Sequence, residues 1–75
     1  MNDSPKNAGS APQATYTVPQ FCDAHNVSRT HLYQLLKDGA GPALMKVGRR
    51  TLISVEAAAA WRRDMEAATA AEAAQ

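Results

Sequence analysis

Two short stretches of helical apolar periodicity split by a tight polar break, a β-prone pair around a glycine, and an alanine-rich helical run predict a mainly α fold with a small two-stranded β-hairpin. Helix, turn, helix, hairpin, helix is the order of a winged helix-turn-helix. The chain has 75 residues, enough for one domain with a small core and little room for an enclosed catalytic cleft. Its one cysteine, Cys22, cannot close an internal disulfide, and no ligand spacing suggests structural zinc, so packing alone must hold the fold. The sequence contains no apolar run of signal-peptide or membrane-spanning length, which predicts a soluble, cytoplasmic protein.

Residues 1–15 are rich in Ser, Pro, Gly, Asn and Gln without apolar periodicity. Such a segment buries too little surface to offset the entropy of ordering it, and it is expected as a disordered N-terminal tail. The folded domain is expected over residues 16–66. Thr17 with Gln20 three positions later forms a capping box, and Tyr16 before the cap is placed to staple onto Phe21. A first helix therefore starts near Val18, with Pro19 in the first turn, where a missing N–H costs no intrahelical bond. Val18, Phe21, Cys22 and His25 share one face, which assigns Cys22 to the core. His25 falls at the helix end, where an imidazole interacts favourably with the dipole.

Asn26 tolerates the left-handed conformation that leaves a helix. Val27 and Ser28 then restart the same grammar, Ser28 as N-cap and Val27 as staple toward Leu32. The second helix runs through Leu32, Tyr33, Leu35 and Leu36 to Lys37 or Asp38, where Gly39 supplies a C-cap. Residues 40–42 end with a proline that forbids continuation, and Leu44 to Val47 and Thr51 to Ile53 read as strands around Gly48-Arg49-Arg50. Val47 is expected on the inner face of that hairpin. Ser54 caps a third helix whose Val55, Ala58, Trp61 and Met65 lie on one stripe, with Trp61 in the core. The alanine-rich residues 67–75 are expected as a C-terminal tail, partly helical or frayed.

The formal net charge of +1 announces no polyanionic partner, but its distribution is uneven. From Ser28 to Arg50 five cations (Arg29, Lys37, Lys46, Arg49 and Arg50) accompany one anion, Asp38, whereas the remainder carries six acids and three cations. Phosphates would attract the first surface and tolerate the second. On the second helix Arg29, Thr30, His31, Gln34 and Lys37 turn away from the Leu32 and Leu36 stripe and can all donate hydrogen bonds. The first turn of such a helix enters the major groove, where Arg suits guanine, Gln suits adenine, and Ser or Thr suits phosphate. An exposed helix face is polar in any soluble protein, so these donors gain meaning from the hairpin beside them. There Gly48 permits a tight turn, and Arg49 and Arg50 make a poor stability device but a good phosphate or minor-groove contact, with Lys46 in reach of the same backbone. A solvated turn that keeps an edge strand from aggregating is the plainer alternative. No spacing of histidines and carboxylates suggests a metal site or an acid/base pair, which predicts a non-enzyme without cofactors.

The segment from Tyr16 to about Arg63, carried by YTVPQFCDAHNVSRTHLYQLLKDG, then GPALMKVGRRTLIS, then a helix reaching Trp61, resembles the excisionase and AlpA-like family of small DNA-binding proteins. Their domain is similar to the winged helix-turn-helix of MerR regulators. By position, Thr17 and Gln20 match the first cap, Val27-Ser28-Arg29 with Leu32-Tyr33 the start of the second helix, and Val47-Gly48-Arg49-Arg50 the wing turn. Asn26 stands where a turn glycine is usual, Phe21 where a small residue is usual, and Ala58 where leucine is common. The resemblance implies a recognition helix presenting Ser28, Arg29, Thr30, His31, Tyr33, Gln34 and Lys37, and a wing presenting Lys46, Gly48, Arg49, Arg50 and Thr51. It implies double-stranded DNA as partner, with excisionase or small-regulator activity on a phage or mobile element. A tyrosine or serine integrase, or a second copy of the chain on DNA, would join it there, with no membrane or small-molecule substrate. The reading from another class is a protein-interaction adapter that docks a partner through the third helix without binding DNA.

Overall fold

The computed structural model describes residues 13–74. Of the tail expected over residues 1–15, residues 1–12 lie outside that range, as does residue 75 of the alanine-rich end. Six elements follow one another: β1 (Thr15–Thr17), α1 (Val18–His25), α2 (Arg29–Lys37), β2 (Met45–Val47), β3 (Arg50–Ser54) and α3 (Val55–Ala73). The chain is thus mainly helical with a small antiparallel sheet, the winged helix-turn-helix arrangement its pattern predicts.

The sheet has one strand more than expected. Its order is β1-β3-β2, with Tyr16 opposite Ile53 and Thr17 opposite Leu52. Thr15, assigned to the tail, pairs with Ser54, and the Val55 N–H donates to the Ala14 carbonyl at 3.0 Å. A three-residue strand is too short to display alternation, and Thr17 already served as a helix cap.

The hairpin register also differs from the expected one. Val47 pairs with Arg50, so the loop is Gly48-Arg49 alone, with Gly48 at φ 61°. Glycine with positive φ at the first central position, followed by a residue without it, is the type II′ pattern whose twist suits a hairpin. Directly opposed residues share a face, and faces alternate along a strand. Ile53, Thr51, Lys46 and Tyr16 therefore share the core side, while Val47, Met45, Arg50 and Leu52 share the outer side. Val47 is accordingly 52% exposed rather than inward. A turn shorter by one residue moves every side chain of the partner strand to the other face.

The core draws on four elements: Val18, Phe21 and Cys22 from α1, Leu32 from α2, Ile53 from β3 and Ala58 from α3, with Tyr16, Val27, Leu36, Ala57 and Trp61 packed around it. Cys22 is buried as its place on the stripe requires. Phe21, larger than usual, and Ala58, smaller than usual, are both fully buried in this one cluster. Each helix starts on the residue expected. Thr17 and Gln20 form the reciprocal capping box, the Ser28 hydroxyl oxygen accepts from the His31 N–H at 3.0 Å, and that of Ser54 accepts from the Ala57 N–H at 3.0 Å.

His25 does more than end its helix. Its ring stacks on Phe21 with centroids 4.1 Å apart, and Tyr16 and Trp61 meet it edge-on at 5.5 and 5.8 Å. Nδ1 lies 2.9 Å from the Phe21 carbonyl oxygen and Nε2 lies 3.0 Å from the Arg62 guanidinium. A carbonyl only accepts and a guanidinium only donates, so both contacts are satisfied by the tautomer in which Nδ1–H donates and Nε2 accepts. Through this ring α3 is fastened to α1 and β1.

Candidate nucleic-acid interface

The turn between α1 and α2 is closed by Asn26, which adopts the left-handed conformation (φ 57°, ψ 42°), and by the Val27 N–H donating to the Cys22 carbonyl at 3.0 Å. Ser28 then caps α2, so three residues, Asn26 to Ser28, separate the two helices. Leu32 is fully buried and Leu36 half-buried, which fixes how the helix is rotated. At about 100° per residue, Arg29, Tyr33, Lys37, Thr30 and Gln34 occupy one continuous arc of about 140°, which begins beside Leu36 at Arg29 and reaches the side opposite the seam at Gln34. All five are exposed, Tyr33 at 56%. His31, also exposed, lies at the edge of the arc toward Leu35. The Ser28 oxygen is engaged by the cap, which leaves its hydroxyl proton free to donate outward.

α2 ends in a Schellman motif: the Gly39 N–H donates to the Leu36 carbonyl at 3.2 Å and the Ala40 N–H to the Leu35 carbonyl at 2.8 Å. The strap from there to β2 is held at three points. A Cβ on Gly41 would meet Leu36 Cδ2 at 2.7 Å, so only glycine lets the strap lie this close to α2. Pro42 is buried, and Trp61 Nε1 donates to the Ala40 carbonyl at 2.9 Å. The strap that leads into the wing is thereby held against α2 through Gly41 and against α3 through the bond from Trp61. On the wing the nominated residues divide. Arg49 stands at the tip, and Arg50, expected beside it in the turn, is the first residue of β3 on the outer face. Lys46 and Thr51 oppose each other on the inner face, where Lys46 Nζ donates to Thr51 Oγ1 at 2.9 Å.

One neighbour of the reading arc escaped the sequence reading. The Gln34 side-chain amide points at Asp38, with Nε2 at 3.5 Å from Oδ1. The signal was present: the two residues stand four apart on one helix, and Asp38 is the single acid between Ser28 and Arg50.

Capped helix, tight left-handed turn, second capped helix and flanking hairpin define the class as a helix-turn-helix domain. A family model for the helix-turn-helix domain matches residues 15–65, and the chain belongs to that family, a DNA-binding one that includes excisionase-like small proteins. The chain matches no curated protein and no solved structure. Among the described residues no helix is long and apolar enough to cross a membrane, and no three of His, Cys, Asp and Glu gather as metal ligands.

Proposed function

We propose that this chain binds double-stranded DNA sequence-specifically, α2 lying in the major groove and the wing gripping the flanking backbone or minor groove. The observation that carries this reading is the arc of exposed donors on α2, running from beside the buried leucine seam to the face opposite it, in a chain whose hairpin carries Lys46, Arg49 and Arg50. Phosphate contacts from Ser28, Thr30, Lys37, Lys46, Arg49 and Thr51 would set register. Base-edge contacts from Arg29, His31, Tyr33 and Gln34 would specify the site, with Arg50 and Gly48 completing the wing contact. The mechanism is binding without chemistry or cofactor.

The biological role proposed is that of an excisionase or a small transcriptional regulator of a phage or mobile element, working in the cytoplasm on DNA. So small a domain offers few contacts, and useful affinity favours tandem copies or an integrase bound alongside. Two measurements test this. Gel shifts on random duplex at rising salt should show steep weakening, because binding releases counterions from several phosphates; a response flat in salt overturns the DNA reading and favours the adapter. Sequencing genomic fragments selected by the protein should yield attachment sites or mobile-element promoters, and fragments drawn evenly from the genome would overturn the role.

A further inference from the structure

We propose that Asp38 is a positioning residue for base recognition: it holds the Gln34 amide in one orientation and keeps α2 from adhering to DNA of the wrong sequence. The inference rests on the DNA-binding reading and deepens it, because it says how that surface discriminates.

Asp38 is costly where it stands. It is the C-cap residue of α2, and a carboxylate at a helix C-terminus faces the negative end of the helix dipole. It lies beside the arc that would approach phosphates, the one acid within a strongly basic segment. Its carboxylate is also not needed to end the helix, since the closing bonds are made by the backbone N–H groups of Asp38, Gly39 and Ala40. What the carboxylate touches is Gln34, which is already joined to Asp38 through the Asp38 N–H donating to the Gln34 carbonyl at 3.0 Å.

Chemistry then fixes the glutamine. A carboxylate only accepts hydrogen bonds, so Nε2 and not Oε1 must face Asp38. Gln34 consequently offers outward one remaining Nε2 proton and its Oε1 in a defined order. That donor and acceptor pair matches adenine N7 and N6–H in the major groove. A glutamine free to flip would present the reverse order as readily and would lose part of its preference. The second Asp38 oxygen is an acceptor for an exocyclic amino group and repels a phosphate, so mismatched sequences are held less well.

The experiment compares wild type with Asp38→Ala and Asp38→Asn, scoring affinity for random duplex and base preference by selection from a randomised duplex library. Asp38→Ala should bind random duplex at least as tightly as wild type. It should also lose roughly fivefold in preference at the base pair facing Gln34, the low end of what one base-edge contact discriminates. In a Gln34→Ala background, Asp38→Ala should cost no further preference at that pair. Asp38→Asn removes the charge and can donate as readily as accept, so it no longer fixes which end of the Gln34 amide faces it: random-duplex affinity should stay raised and preference should not be restored. A merely structural residue would shift thermal melting and weaken all sequences together. If Asp38→Ala selects the wild-type sites, or loses all duplexes equally, the inference is overturned. A wild-type protein that selects no duplex overturns it together with the DNA-binding reading, so the two failures are told apart.

Discussion

Asn26 turns the corner between the two short helices on a backbone angle that most side chains resist, φ 57°. A residue with a Cβ and no compensating side-chain bond pays about 1 kcal/mol in the left-handed region, and glycine pays no such steric cost. Asn26→Ala should therefore lower unfolding stability by about 1 kcal/mol in urea titrations, while Asn26→Gly should not fall below wild type. Phe21 is the opposite case, a fully buried ring stacked on His25 and edge-on to Trp61. Its loss to alanine should cost about 3–5 kcal/mol, comparable with the whole stability of a domain this size, so Phe21→Ala should show no cooperative melting at room temperature. Val47 divides the two hairpin registers. In an inward position Val47→Asp would unfold the chain; at the exposed outer face it should move stability by less than about 0.5 kcal/mol. A melting curve for Val47→Asp that collapses would show the strand to be turned over.

At the level of elements, each part of the proposed grip has its own signature. If the wing grips the phosphate backbone as proposed, replacing Arg49 and Arg50 together by alanine should weaken binding to every duplex and flatten the salt dependence by about two counterions. Gln34→Ala should leave random-duplex affinity nearly intact and relax preference at one or two base pairs, at a cost of about 1–3 kcal/mol on the preferred site. Footprints and selected sites unchanged by both sets would remove α2 and the wing from the interface. What could be read from the sequence follows the range of the interactions involved. Thr17, Gln20, Ser28, Asn26, Gly39 and Ser54 act within four residues of themselves, and the helix ends they mark stand where expected. β1, the face of Val47, the His25 ring against Arg62 and the bond from Trp61 to Ala40 are decided by partners distant in sequence or by a turn one residue shorter than it looked. Composition carries no trace of those. The candidate surface was legible where helix rotation alone determines it, on α2, and only partly on the wing, where register decides which side each cation takes.

For the molecule as a whole, α3 raises the question of what its second half is for. The helix runs to Ala73, yet Met65 is the last residue on it that is even half-buried, and the family match ends at the same residue. Its fastening to the body lies earlier, at Ala58, at Trp61 on Ala40, and at Arg62 on His25. Beyond Met65 the chain carries Glu66 and Glu72 among alanines, residues of high helix propensity that need no tertiary support to extend a helix already started. A chain ending after Glu66 should therefore melt within a few degrees of the full protein, since every described residue it removes is exposed. Its affinity for random duplex should be unchanged or slightly higher, because Glu72 goes while every cation of the basic segment remains. The adapter reading predicts the reverse, with the exposed helix as the docking surface and its removal abolishing partner capture. Measuring duplex affinity and thermal melting on this one shortened chain separates the two: loss of DNA binding with an intact fold would move the interface from α2 and the wing to the end of α3.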